Sequence, residues 1–108
     1  MTIHLMNSAM MPTEGIYHCK RIDKNIFVNM INDNDTKSSI GYQSTIDAMY
    51  NMGVKKNIQL SRELTTLLDG DIALVIKLKY RVGNPNDKKH LEPSEDDFEF
   101  FEINYKCE

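Results

Sequence analysis

The chain has 108 residues, of which 41% are hydrophobic and 27% charged, and its formal net charge is −3. That length suits one domain with a single core, and the composition is that of a folded globular chain rather than a disordered one. A net negative chain is a poor partner for duplex DNA or an anionic membrane surface, although a compact anion could still be held in a local basic pocket.

Residues 3–6 form a short apolar strand candidate that ends at Asn7–Ser8. Pro12 and Gly15 punctuate residues 10–15 as a loop. Residues 16–19 are a second strand candidate. Asp23 is the expected N-cap of a helix reaching about Asn32, with Ile26, Phe27, Met30 and Ile31 on one face. Asp33–Asn34–Asp35 closes it as a polar turn. In the next helix Ser44 is the expected N-cap, and Asp47, three residues on, makes a shorter-armed capping box. Ile46, Met49 and Tyr50 follow at helical spacing, and Gly53 suits the C-terminal stop.

Residues 57–60 begin a strand candidate, and residues 67–71 end in an Asp-Gly turn signal. Residues 72–82 are the strongest strand. It opens as an apolar run and then alternates, with Ile76, Leu78, Tyr80 and Val82 on one side and Lys77, Lys79 and Arg81 on the other. Residues 83–86 form a turn, residues 87–97 are polar without a period, and residues 98–105 make an aromatic-rich strand. The order predicts one α/β (α+β) domain spanning residues 1–108, with a mixed sheet of about five strands flanked by helices.

Cys19 and Cys107 stand near opposite ends and make no disulfide framework. Reduced thiols and a cytoplasmic location are expected, with no signal peptide and no membrane span. His4, His18 and His90 show no ligand spacing. Asp33 and Asp35 suggest a calcium loop, but Lys37 stands where a further ligand is needed. No metal and no cofactor are expected.

Three features could carry chemistry. Gly41 allows close backbone approach, and Gln43, Ser44 and Thr45 place polar side chains and free N–H groups at a helix start, where anions bind. A capped helix that binds nothing is the commoner fate of such a pattern. Lys77, Lys79 and Arg81 form a basic stripe suited to phosphates, or simply a solvated strand face. Asn7 and Ser8 follow a strand, where ligand sites of mixed sheets gather, or they form an ordinary turn.

Taken in order, Asn7–Ser8, the segment Ser39-Ile40-Gly41-Tyr42-Gln43-Ser44-Thr45-Ile46 and a long strand ending in Arg81 resemble the viral type III anti-CRISPR ring nuclease family, which includes YddF-like proteins. The resemblance implies a homodimer that binds cyclic tetra-adenylate across its two-fold axis. It further implies metal-free cleavage to linear di-adenylate carrying a 2′,3′-cyclic phosphate. By the same resemblance Asn7, Ser44 and Thr45 contact ligand and Arg81 stabilises the scissile phosphate. Two positions depart from it: Tyr42 stands where the family has a histidine acid, and Asn84 stands nearest the family's glutamate.

Cleavage by the ribose 2′-OH requires protonation of the leaving 5′ oxygen. Histidine, with a reference pKa of about 6.5, suits this task better than tyrosine at about 10. Loss of a matched acid costs about 10²–10⁴ in rate, while positioning and charge stabilisation survive. Binding should suffer less, because a tyrosine ring stacks on adenine and Lys77 and Lys79 supply cations. The expected function is therefore binding, with slow cleavage at most, of a cyclic oligoadenylate by a homodimer. The alternative is a non-catalytic protein that blunts defence by binding a host protein directly.

Overall fold

The computed structural model describes residues 2–7, 14–62, 67–78 and 97–106. Their order is β1 (Thr2–Met6), β2 (Ile16–Ile22), α1 (Lys24–Asp33), β3 (Asp35–Ser39), α2 (Gln43–Met52), β4 (Ile72–Leu78) and β5 (Phe98–Lys106). The five strands form one mixed sheet in the order β2-β5-β4-β1-β3. β1 runs parallel to both of its neighbours, and β5 antiparallel to both of its own. This is the α+β sheet with two helices that the sequence predicts.

β4 is apolar throughout its middle because both of its faces are covered. Ala73, Leu74, Val75 and Ile76 are at most 1% exposed. Leu74 and Ile76 share the larger core with Ile3, Leu5 and Phe100, packed against Phe27 and Ile31 of α1 and Ile46 and Met49 of α2. Alternation turns Ala73 and Val75 to the opposite face, where they meet Met6, Leu67, Ile103 and Tyr105 in a smaller core. Each large aliphatic side chain buried this way stabilises the fold by about 1.5–3 kcal/mol.

Asp23 caps α1 as expected, its Oδ1 accepting the Ile26 N–H at 2.8 Å. Val28, not Ile26, completes the inward face with Phe27 and Ile31, and Ile26 is 44% exposed. The expected polar turn over residues 33–35 is corrected, since Asp35 already belongs to β3. This strand reads Asp-Thr-Lys-Ser-Ser and has no apolar period of its own. Parallel pairing with β1, from Thr2↔Asp35 to Met6↔Ser39, supplies its ladder.

Residues 57–60 form no full strand. They touch β3's extension at a single bridge, Ile40↔Leu60, which Ser61 reinforces by donating its N–H to the Ile40 carbonyl at 2.9 Å. Tyr50 explains the rest. Its hydroxyl accepts the Ile58 N–H at 2.9 Å and donates to the Ile58 carbonyl at 3.3 Å. Its helical spacing puts Tyr50 on the apolar face of α2, but it is 39% exposed and works through its hydroxyl instead. Gly53 ends α2 at φ 115°, as expected for a residue in the left-handed region.

Candidate functional site

The three parallel strands bring their C-terminal ends to one side of the sheet, where mixed α/β sheets commonly hold ligands. Asn7 stands half-buried immediately past β1. Because Met6 pairs with Ser39, Asn7 and Ile40 leave adjacent strands side by side. The turn from β3 into α2 is only Ile40, Gly41 and Tyr42 long, so the helix must start at this same end.

Tyr42, not Ser44, is the N-cap of α2. Its backbone is extended, and its carbonyl accepts the Ile46 N–H at 3.3 Å. The cap therefore falls two residues earlier than the capping-box pattern suggests, and Ser44 lies inside the first turn. Tyr42 makes no side-chain cap hydrogen bond, and no acidic residue sits in that turn. The backbone N–H groups of Gln43, Ser44 and Thr45 thus lie at the positive end of the helix dipole without a cap from the Tyr42 side chain.

The side chains at this junction divide sharply. Tyr42 is 60% exposed, whereas Thr45 is 3% exposed and turns into the core face of α2. Thr45 can offer an incoming ligand its backbone but not an open side chain, which corrects the pairing of Ser44 and Thr45 as equivalent contacts. Ser44 is exposed. Gln43 is exposed too, and its amide donates to Asp47 Oδ1 at 2.9 Å.

Arg62 is the site residue that sequence reading missed. Its Nε donates to the Gly41 carbonyl at 3.3 Å, which sets a guanidinium beside the helix start. A Cβ on Gly41 would lie 3.0 Å from Arg62 Cγ, so glycine is what lets this arm lie close. The only hint in the sequence was that Ser61–Arg62 follow a strand candidate.

Lys77 reaches the same end of the sheet but not the same side. It continues the alternation of Ala73 and Val75, away from the helices, and lies opposite Glu99 across β4 and β5. Arg21 Nη2 pairs with Glu99 at 2.8 Å nearby. Ser8, Lys79, Arg81, Asn84 and His90 fall outside the described residues. His18 is exposed on β2, an outer strand of the sheet. No cluster of His, Cys, Asp or Glu among the described residues could hold a metal.

The model of the family described as STIV B116-like matches residues 3–105, nearly the whole chain. The chain belongs to the STIV B116-like family. Among solved structures it is similar to B116 of Sulfolobus turreted icosahedral virus, with a TM-score of 0.70 and 18% identity, covering 94% of this chain and 97% of that one. No curated protein matches.

This family assignment overturns the one read from the sequence. Likeness to the viral type III anti-CRISPR ring nuclease and YddF-like proteins, drawn along nearly the whole chain, is specific only in residues 39–46 and departs at Tyr42 and Asn84. The B116-like match extends over all seven elements of the fold. It keeps the chain in a family named for a viral protein. No described helix is long and apolar enough to cross a membrane.

Proposed function

We propose that the chain binds a cyclic oligoadenylate second messenger, cyclic tetra-adenylate in the first place, and so blunts type III CRISPR or related nucleotide-signalled antiviral defence. The observation that carries this reading is the start of α2. There a helix N-terminus that its N-cap side chain leaves open, the exposed Tyr42 ring and the Arg62 guanidinium meet at one short turn. The dipole end and the guanidinium suit a phosphate, and the ring suits a base stacked beside it. A cyclic oligonucleotide repeats that pair of features around its circumference. A homodimer that joins two such turns would meet it twice.

Capture outweighs turnover in this reading. The junction offers charge stabilisation and orientation, but its described side chains, Tyr42, Gln43, Ser44 and Arg62, include no imidazole. Cleavage by 2′-OH attack, if tested at this site, is expected to be slow and metal-independent.

Titration calorimetry with cyclic tetra-adenylate, followed by chromatography of the products, tests the proposal. Saturable binding that Tyr42→Ala and Arg62→Glu each weaken about tenfold or more supports it; base stacking alone accounts for about 1–3 kcal/mol. Absence of binding to any cyclic oligoadenylate overturns it, and rapid single-turnover cleavage overturns the emphasis on capture.

A second reading, direct binding to a host protein, is favoured by β2. This outer strand exposes His18, Cys19, Lys20 and Arg21 in succession, so both of its faces meet solvent. Anti-defence activity that survives both Tyr42→Ala and Arg62→Glu would select this reading.

A further inference from the structure

We propose that the cleft between β3 and residues 57–61 is a separate ligand site, built for a purine nucleoside monophosphate. The cleft exists because of the Tyr50 hydroxyl. The bridge Ile40↔Leu60 aligns the two segments in parallel, and two residues further back Ile58 would come opposite Ser38. Tyr50 instead takes both backbone groups of Ile58. The segments splay apart behind the bridge and leave a cavity of about 520 Å³ along β3, the last strand of the sheet. That volume lies within the range of about 300–1,000 Å³ typical of small-molecule sites.

The lining has one chemical character. Thr36, Lys37 and Ser38 form one wall, with Asn57, Gln59 and Leu60 opposite. Among the described residues no carboxylate lines the cleft, although the chain as a whole carries a net charge of −3. Thr36 and Ser38 leave one face of β3 and Lys37 the other, so at this outer strand the Lys37 ammonium can meet a phosphate from the far side of the cleft's wall. Ser38 Oγ accepts the Ile40 N–H at 3.2 Å, which leaves its own O–H to donate. Asn57 and Gln59 are both exposed and both line the cleft, so their carboxamides are open to it. A carboxamide offers a donor and an acceptor together, the complement of the adenine N6/N7 edge. Leu60, 52% exposed, gives the base an apolar surface. The two sites meet at Ile40 but share none of these side chains, so side-chain variants distinguish them.

The test is titration of adenosine 5′-monophosphate into the full chain, followed by amide chemical shifts. Saturable shifts on β3 and residues 57–61 are expected. Lys37→Glu should weaken binding about tenfold or more. The double variant Asn57→Ala/Gln59→Ala should reduce affinity to that of inorganic phosphate. All three residues are exposed, so the variants leave the core intact, which circular dichroism verifies. Tyr42→Ala should leave adenosine monophosphate binding unchanged while weakening cyclic tetra-adenylate. The proposal is overturned by absence of saturation, by binding indifferent to both cleft variants, by phosphate binding as tightly as the nucleotide, or by dependence on Tyr42.

Discussion

Tyr50→Phe isolates a hydroxyl that organises one whole side of the molecule. The substitution keeps the ring and so opens no cavity. It removes the two hydrogen bonds to Ile58, at 2.9 and 3.3 Å. A typical intramolecular hydrogen bond contributes about 0.5–1.5 kcal/mol net, so the pair contributes about 1–3 kcal/mol. For a domain of this size each kcal/mol shifts Tm by about 4 °C, which predicts a fall of about 4–12 °C. Urea denaturation should give the same loss, and amide exchange at Ile58 should accelerate selectively, because its N–H loses its partner. Residues 57–61 would also be free to pair with β3, so adenosine monophosphate binding should weaken in the same variant. Stability within about 0.5 kcal/mol of the parent, with Ile58 exchange unchanged, would refute the role assigned to this hydroxyl.

Four further outcomes are expected. Asp23→Ala should cost about 1 kcal/mol in urea denaturation through loss of the α1 cap. Gly53→Ala should cost about 1–2 kcal/mol through backbone strain alone, because a Cβ there meets nothing closer than Val28 Cγ1 at 3.7 Å. Gly15→Ala should be worse than Gly53→Ala in thermal unfolding, since its Cβ would collide with the Tyr105 ring and lie 2.8 Å from the Lys106 carbonyl. Leu74→Ala, at a fully buried position of β4, should cost about 2–5 kcal/mol by chemical denaturation.

The parts of the fold legible in the sequence were those with local causes. Asp23 announces its helix because a cap is a property of four adjacent residues, and Gly53 announces an end because few other residues tolerate its backbone. β4 was legible because burial on both faces leaves an apolar run. β3 was not, since five polar residues become a strand only through pairing with β1, which lies far away in sequence. The same limit hid half of the candidate site. The turn at Gly41 was visible, but the guanidinium beside it comes from Arg62, in a stretch without period. The cap of α2 was misplaced for a subtler reason. Ser44 and Asp47 have the spacing of a capping box, yet the helix already begins at Gln43, behind the extended backbone of Tyr42. The family was not legible because only residues 39–46 carry a specific pattern, and the rest of the chain resembles many small α+β domains as well.

The position of β5 has a consequence for how the chain is made. It lies between β2 and β4 and follows every other element in chain order. On the ribosome β2 waits for its hydrogen-bonding partner while the residues between Ile22 and Phe98 are synthesised, a wait on the order of ten seconds at roughly 5–20 residues per second. During that interval the nascent chain can assemble β1, β3 and β4 around the two helices, while β2 trails as an unpaired ribbon with Ile16 and Tyr17 open to other chains. A release of the chain before β5 would leave a three-stranded remnant and a loose strand, so early termination should yield aggregates rather than a smaller folded domain.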